Sequence, residues 1–415
     1  MPSGIKPKHV AEVMLASLGL DLVSITELRS LWAGYGHICA VKASAPTKET
    51  AARVASLCGE SDTATAGSTF HLILKLISPP SGNGATSDEG HLRKMLSYDV
   101  EQYFYNEVTP SLGEDVAVAK CLVSTRTLVD EELQGLTATI MTDLRPKFPV
   151  AGEKRSILDP RQVHAALEWL AKFHGSSWKM LPDDLNAFVL PPLEEMQRRR
   201  THPDTSGQKL WLNGGYTYLA TRRSEYASLA VDSYSEWSEA FCGSSRGSSF
   251  SIAEMAAAFL TPRGRPFETY IHGDVKSENL FTTKMGDKVA FFDFQYVGLG
   301  LGVCDLAKLF TCSIPTKMLA TGLIPDELTM QAGERNLLDH YCETLLSRRP
   351  PGSDIDYPVD LFIRHWETAL VDWCRFQASW GFWGNTEWLE ARVRSILKDA
   401  GWRDWLQKEV STLPR

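Results

Sequence analysis

No stretch of this sequence reaches the roughly 18 consecutive apolar residues that a membrane-spanning helix requires. The opening MPSGIKPKHVAEVM also lacks the long apolar segment of a secretory leader. An excess of positive charge is missing: 43 Lys and Arg stand against 51 Asp and Glu, a net charge of −8. General attraction to nucleic acid or to an anionic membrane is therefore not expected, a local basic patch apart. The eight Cys (39, 58, 121, 242, 304, 312, 342 and 374) show neither C-x-x-C spacing nor a Cys/His cluster of the zinc kind. They read as free or buried thiols in a reducing compartment, and a cytoplasmic location is the expectation. No internal repeat stands out.

What is present is ordinary globular composition, 43% hydrophobic and 23% charged. At 415 residues the chain exceeds one ordinary core, so two lobes are expected. A short amphipathic helix is predicted over 6–18. LVSITELRSLW, HICAVKAS and STFHLILKL then read as three strands of an antiparallel sheet, with AGYG (33–36) as the turn between the first two. A helix is placed around 47–58. The polar segment 79–90 reads as a flexible loop. From 92 to 112 the period is helical, with Leu92, Met95, Val100, Phe104 and Val108 on one face and Pro110 as the terminator. VAVAKCLVST and GLTATIMTDL give two more strands. DPRQVHAALEWLAKFHGSSW (159–178) is an amphipathic helix with Asp159 as N-cap and Pro160 at its first position. Residues 184–250 read as helices with a flexible connector, GSSRGSS. From 325 onward the chain is helical and rich in Trp. The layout is α+β: a small β-rich N-lobe, 1–146, and a large, mostly helical C-lobe, 147–415, linked through RPKFPVAGEKR.

The chemistry concentrates in IHGDVKSENLF (271–281) and, shortly after it, VAFFDFQYVG (289–298). Transfer of a phosphoryl group from a nucleotide needs positioning and charge neutralisation more than covalent help. Mg²⁺ takes hard oxygen ligands, commonly one or two carboxylates completed by phosphates and water. An acceptor hydroxyl needs a carboxylate to orient it and take its proton. Asp274 supplies that base. Asn279, five residues on, and Asp293 supply metal ligands, in the D-x-x-x-x-N spacing of a kinase catalytic loop. Taken alone, Asp274 and Asn279 would suit a self-capped turn; Asp293 at the matching distance makes the composite specific. ETYIH and NLFTT are the flanking strands.

IHGDVKSENLF together with VAFFDFQYVGLGLGVCDLAKLF resembles the aminoglycoside phosphotransferase/choline kinase superfamily of small-molecule kinases. SYDVEQYFYNEVTPSL, ALEWLAKFHGSSW and GVCDLAKLF are similar to the ecdysteroid kinase-like branch, loosely from about 30 to about 385. The resemblance implies a bilobal protein-kinase-like fold, ATP and Mg²⁺ as cofactors, and a small-molecule alcohol as substrate. It implies Asp274 as base and Asn279 and Asp293 as metal ligands. His272 would be a packing, hydrogen-bonding histidine. Lys276, two residues after the base, would touch the γ-phosphate or simply sit in solvent. Asp305 would anchor the catalytic loop. Gln295 stands where protein kinases have Gly, so a mobile switch is not implied. Lys75, late in the third strand, would hold the α/β-phosphates, with Lys42 as rival; Glu101 would hold the lysine, with Glu107 as rival. Gly34 and Gly36, in a segment short of G-x-G-x-x-G, would bring backbone N–H groups to phosphate or form a plain hairpin turn. Met141 and Asp143 belong to MTDL, the expected hinge.

Seven Trp lie in the C-terminal third; Trp366, Trp373 and Trp380 are seven apart and share a helix face. They read as helix core or as an aromatic wall for the acceptor, suited to a quaternary ammonium or to a flat apolar alcohol. Glu367 and Asp372 are expected in solvent, with a cationic substrate as the other partner. The acceptor class stays open among amino alcohols, sterol-like and aminoglycoside-like compounds, and a monomer or homodimer is expected. The competing class is a catalytically silent nucleotide-binding module. A protein kinase is disfavoured, because no A-P-E-like segment and no long activation loop follow DFQ.

Overall fold

Period-two alternation builds the first sheet. In TFHLILKLI, Phe70, Leu72, Leu74 and Leu76 point to one face and are buried, which turns Lys75 to the other. The structure, a computed structural model, describes residues 6–60, 64–79, 88–182, 184–202, 209–244, 250–350 and 356–413. The loop expected at 79–90 and the connector GSSRGSS fall largely outside them. The chain divides into two compact units, Met1–Ser111 with Val118–Lys147, and Leu112–Ala117 with Phe148–Arg415.

In the first unit, β1 (Asp21–Ser30), β2 (Gly36–Ser44), β3 (Thr69–Ile77), β4 (Cys121–Ser124) and β5 (Thr137–Thr142) form an antiparallel sheet in the order β1-β2-β3-β5-β4. Helices α1 (Pro7–Ser17) and α2 (Lys48–Cys58) cover one face, burying Val10, Met14, Val54 and Ala55 against the apolar row of β3. On the other face, Tyr98 of α3 (Glu89–Tyr103) packs with Ile77 and Tyr35. The α-helix stops at Tyr103 rather than running to Pro110. A π-helical turn, Phe104–Val108, and a 3-10 turn, Thr109–Ser111, follow it. Proline 110 has no N–H to return to residue 106. Just before it the bonding widens, so that the Thr109 N–H reaches the Phe104 carbonyl.

In the second unit, β6 (Val150–Ala151), β8 (Leu280–Thr282) and β9 (Val289–Phe291) form a small sheet, and β7 (Glu268–Ile271) pairs antiparallel with β10 (Gly298–Leu301). The other regular elements of the second unit are helices, joined by irregular segments. Helix α4 (Pro160–Ser177) opens on a capping box in which Asp159 and Gln162 satisfy each other's backbone N–H groups. There follow α5 (Pro192–Thr201), α6 (Arg223–Ala230), α7 (Glu236–Cys242), α8 (Ile252–Leu260), α9 (Val303–Cys312), α10 (Thr316–Leu319), α11 (Ala332–Leu346), α12 (Val359–Trp380), α13 (Thr386–Lys398) and α14 (Ala400–Ser411). Trp366, Trp388 and Trp402 are completely buried. A buried ion pair joins α11 to α13: Arg392 Nε meets Glu334 at 2.8 Å, and the Trp366 indole N–H donates to the same carboxylate at 2.8 Å. With its lone pairs met by two donors, the buried charge is compensated as burial requires.

His365 of α12 sits among the rings of Phe259, Tyr357 and Trp405, and its Nδ1 meets the Tyr357 hydroxyl. Burial, aided by the nearby Arg265 charge, pushes its pKa down to about 3. The folded state therefore keeps this imidazole neutral, while the unfolded chain protonates it below about pH 6.5. The unfolded state binds more protons there, so stability is lost as pH falls through that window. Between pH 7 and pH 5, wild-type unfolding free energy should drop by about 2 kcal/mol more than that of His365→Gln. Urea titrations at the two pH values check this; parallel pH dependences would sink it.

Candidate active site

Strand parity and helix phase meet at Lys75 in the first unit. Lys75 Nζ lies 2.5 Å from Glu101 Oε2 of α3, both side chains nearly buried, and 5.7 Å from the centre of the Tyr98 ring. The two rivals lie elsewhere: Lys42 pairs across the sheet with His71, and the exposed Glu107 lies 4.0 Å from Arg126. Lys75, Glu101 and Met141 line one small cavity with Tyr98 and Thr139. Asp143 spends its carboxylate on Arg145 (2.6 and 2.9 Å) and its N–H on the His71 carbonyl. Gly34, at φ +72°, donates its N–H to the Leu31 carbonyl, as in a closed hairpin turn. Gly36 is required by close approach, because a Cβ there would lie 2.0 Å from the Leu76 carbonyl oxygen.

In the second unit the loop after β7 is held from beneath by α9. Asp305, completely buried, accepts the successive N–H groups of His272 (2.6 Å) and Gly273 (2.9 Å), as expected of a loop anchor. One turn along α9, buried Lys308 donates to the Gly273 carbonyl. Gly273 is thus gripped at both its N–H and its C=O. Glycine is forced at 273 by φ +83° and by the Tyr296 carbonyl, 2.3 Å from where a Cβ would stand. Asp305 also meets His174 Nε2 at 3.2 Å, and His174 Nδ1 meets the Tyr341 hydroxyl at 2.7 Å. Burial alone would raise the Asp305 pKa, but the His174 hydrogen bond and the charges around it outweigh burial and lower it.

His272 is buried and uses both ring nitrogens. Nε2 donates to the Phe292 carbonyl (3.0 Å), and Nδ1 accepts the Asp274 N–H (3.3 Å). Only the neutral Nε2–H tautomer does both, and burial accordingly lowers its pKa. One imidazole therefore ties the loop of Asp274 to the segment of Asp293. A second tie is the Phe292 N–H on the Asn279 carbonyl, 3.0 Å.

The Asp274 carboxylate is well furnished. Oδ2 accepts from Asn279 Nδ2 (3.0 Å) and Lys276 Nζ (3.0 Å), and Oδ1 from the Tyr216 hydroxyl (3.4 Å). Lys276 also pairs with Glu278 at 3.0 Å. Burial opposes its charge, but the two carboxylates outweigh burial and raise its pKa. Lys276 is thus ion-paired and only part-exposed rather than freely solvated. Asp293 adopts the left-handed conformation, φ +68°, which Asp tolerates better than most residues, and the Gln295 amide donates to its Oδ1 at 2.7 Å. With its amide nitrogen turned to Asp274, Asn279 presents a carbonyl oxygen, and Asp293 a carboxylate: hard oxygen donors of the kind Mg²⁺ takes. Among the described residues no cluster of three or more His, Cys, Asp or Glu side chains could enclose a metal ion, so a metal on Asn279 and Asp293 would need ligands from a phosphate or water.

Around Tyr216 the aromatic residues continue outward. Its ring centre lies 4.6 Å from Tyr296 and 6.3 Å from Phe376, and Phe376 stacks on Trp380, which is 57% exposed. Trp366, Trp373 and Trp380 do not stack on one another. Trp366 is core, and Phe376 lies between Trp373 and Trp380. Glu367 and Asp372 are not in solvent either. Each is mostly buried and paired three residues away along the helix, with Arg364 and Arg375. His174, Tyr216 and Lys308 were not singled out from the sequence. Lys308 carried a signal, being one helical turn from Asp305 in CDLAK. Tyr216 lies in an aperiodic stretch, LNGGYTY, that gives none.

The profile of the ecdysteroid kinase-like family matches residues 52–323. No curated protein matches. Among solved structures, the macrolide 2′-phosphotransferase of Brachybacterium faecium aligns over 98% of each chain at 12% identity, TM-score 0.41. The choline kinase of Streptococcus pneumoniae aligns over 98% of this chain and 99% of its own at 10% identity, TM-score 0.38. The ethanolamine kinase of Plasmodium vivax covers 95% and 87% at 12% identity, TM-score 0.37. The family profile spans well over half of the sequence and includes both acidic motifs, and on that ground the chain belongs to the ecdysteroid kinase-like family.

Proposed function

We propose that this protein is an ATP- and Mg²⁺-dependent phosphotransferase acting on a hydroxyl group of a small molecule. The observation that carries the reading is the set Asp274, Asn279 and Asp293, complete and bound into one unit by His272. Membership of a kinase-like family supports it. Asp274 receives the proton of the acceptor hydroxyl. The acceptor oxygen forms its bond to the γ-phosphorus, the bond from that phosphorus to the bridging oxygen breaks, and ADP leaves. Asn279 and Asp293 would hold Mg²⁺, which when bound offsets charge on the phosphate oxygens. Lys75, steadied by Glu101, is assigned the nucleotide phosphates, and Met141 the adenine end. Lys276 counters the charges of Asp274 and Glu278 beside the transferring group. Gly34 and Gly36 enter only as the tight turn that shapes this end of the sheet, since the Gly34 N–H is already spent.

The test is ADP formation with Mg-ATP against a panel of alcohols: choline, ethanolamine, aminoglycosides, sterols and sugars. One of these should turn over, and Asp274→Asn should lower kcat by roughly 100-fold or more, the usual worth of a general base. Lys75→Met should lower kcat/KM for ATP on the order of 100-fold while leaving the acceptor KM within about twofold, since it removes a charge aimed at the nucleotide alone. Failure to bind Mg-ATP in calorimetry would overturn the reading. Binding with no turnover of any alcohol would favour the catalytically silent module instead.

A further inference from the structure

Asp274 has two oxygens in unequal surroundings. Oδ2 already receives two donors, Asn279 Nδ2 and Lys276 Nζ, each at 3.0 Å. Oδ1 receives one, the Tyr216 hydroxyl at 3.4 Å. A carboxylate oxygen has two lone pairs, so the capacity left for an incoming hydroxyl lies on Oδ1, beside the tyrosine. Tyr216 comes from the irregular segment between Trp211 and α6, where no regular backbone ladder fixes a side chain. It is fixed in other ways. Its backbone carbonyl accepts from Arg222 Nε (2.9 Å) and from Thr221 Oγ1 (3.1 Å). The preceding Gly215 N–H is bonded to the Tyr296 carbonyl, and the following Thr217 carbonyl accepts from buried Arg375 at 2.8 Å. The ring itself lies against Tyr296, and the Arg222 guanidinium stands 5.5 Å from its centre. Arg222 is only 6% exposed and also faces Phe376 and Trp380. The backbone of three consecutive residues and the ring itself are thus all engaged.

We propose, on the basis of the phosphotransfer reading above, that Tyr216 is a positioning residue for the base: its hydroxyl holds Asp274 Oδ1 toward the acceptor, and Arg222 holds Tyr216. The hydroxyl keeps its proton throughout, because burial raises the phenol pKa well above its ordinary value. It therefore acts as a fixed donor and not as a second base. The donor on Oδ1 adds to the two on Oδ2 in orienting the carboxylate plane and leaves one Oδ1 lone pair open for the substrate O–H. Loss of the donor leaves Oδ2 held but Oδ1 less tightly oriented, without removing the carboxylate.

The experiment uses the full chain, Mg-ATP and the alcohol that turns over in the panel, and compares wild type, Tyr216→Phe, Asp274→Asn and the double variant. Tyr216→Phe keeps the ring and its contacts. It should lower kcat about 10- to 30-fold, in the range expected for one hydrogen bond to a charged group, with the KM for ATP within twofold and Tm unchanged. In the Asp274→Asn background it should cost nothing further, because the two groups act as one unit. An unchanged kcat, beside an impaired Asp274→Asn, overturns the assignment and leaves the phosphotransfer reading intact. So does a loss that adds fully to that of Asp274→Asn or comes with a lowered Tm, which would mark a merely structural role. If wild type turns over no alcohol, or Asp274→Asn is as active as wild type, the phosphotransfer reading falls and takes the assignment with it. As a second variant, Arg222→Lys keeps the charge but loses the planar fork, and should reproduce part of the Tyr216→Phe loss in kcat.

Discussion

A neutral imidazole with both nitrogens engaged is the constraint on which the rest of the site depends. His272 accepts from one acidic loop and donates to the other, so Asp274 and the segment of Asp293 cannot drift apart independently. A protonated ring would have two donors, and one of them would face the Asp274 N–H. Complete burial makes that state costly, and the low-dielectric surroundings that lower the imidazole pKa are the same ones that strengthen its two bonds. Both ring nitrogens of the histidine are taken up by backbone groups. It converts two flexible turns into one rigid arrangement of oxygen atoms.

Beneath it, helix α9 acts as a footing. The spacing of Asp305 and Lys308 puts an acceptor and a donor one turn apart, matched to the N–H and the C=O of residue Gly273. The footing is itself braced by His174 and Tyr341, from α4 and α11, so three helices converge on one backbone turn. A buried carboxylate with this many donors is compensated. The same bonds satisfy successive backbone N–H groups of the loop, which therefore needs no regular secondary structure there.

Much of this was legible in the sequence, and for definite reasons. Alternation in TFHLILKLI fixed which face Lys75 would take. The helical run leading to SYDVEQYFY put Glu101 in reach of it, because both patterns obey a single local period. The D-x-x-x-x-N spacing survived folding because a tight loop keeps sequence neighbours together. Tyr216 was not legible: it meets Asp274 from 58 residues away, through a segment without period, and bonds and ring contacts to residues distant in sequence decide where it points. Glu367 and Asp372 were misread as solvent-facing although their partners Arg364 and Arg375 stand at helical spacing. A charge on an apolar helix finds its partner three residues away, a pairing that spacing along the helix shows and composition does not. The early end of α3 was missed because a π turn follows helical periodicity closely enough to pass for it.

That π turn has a consequence for how this chain tolerates changes in length. Each residue of an α-helix turns the chain by about 100°, so the wider turn at Phe104–Val108 accommodates one residue more than a plain helix would. Gln102 lies just before it and reaches the Ala138 carbonyl at 3.0 Å; Asn106 lies within it and accepts from Ser124 at 3.0 Å. Deleting a single residue here would restore ideal helix geometry and at the same time swing the second anchor off the sheet while leaving the first in place. The segment is a length gauge, in which the more regular helix is the less compatible one.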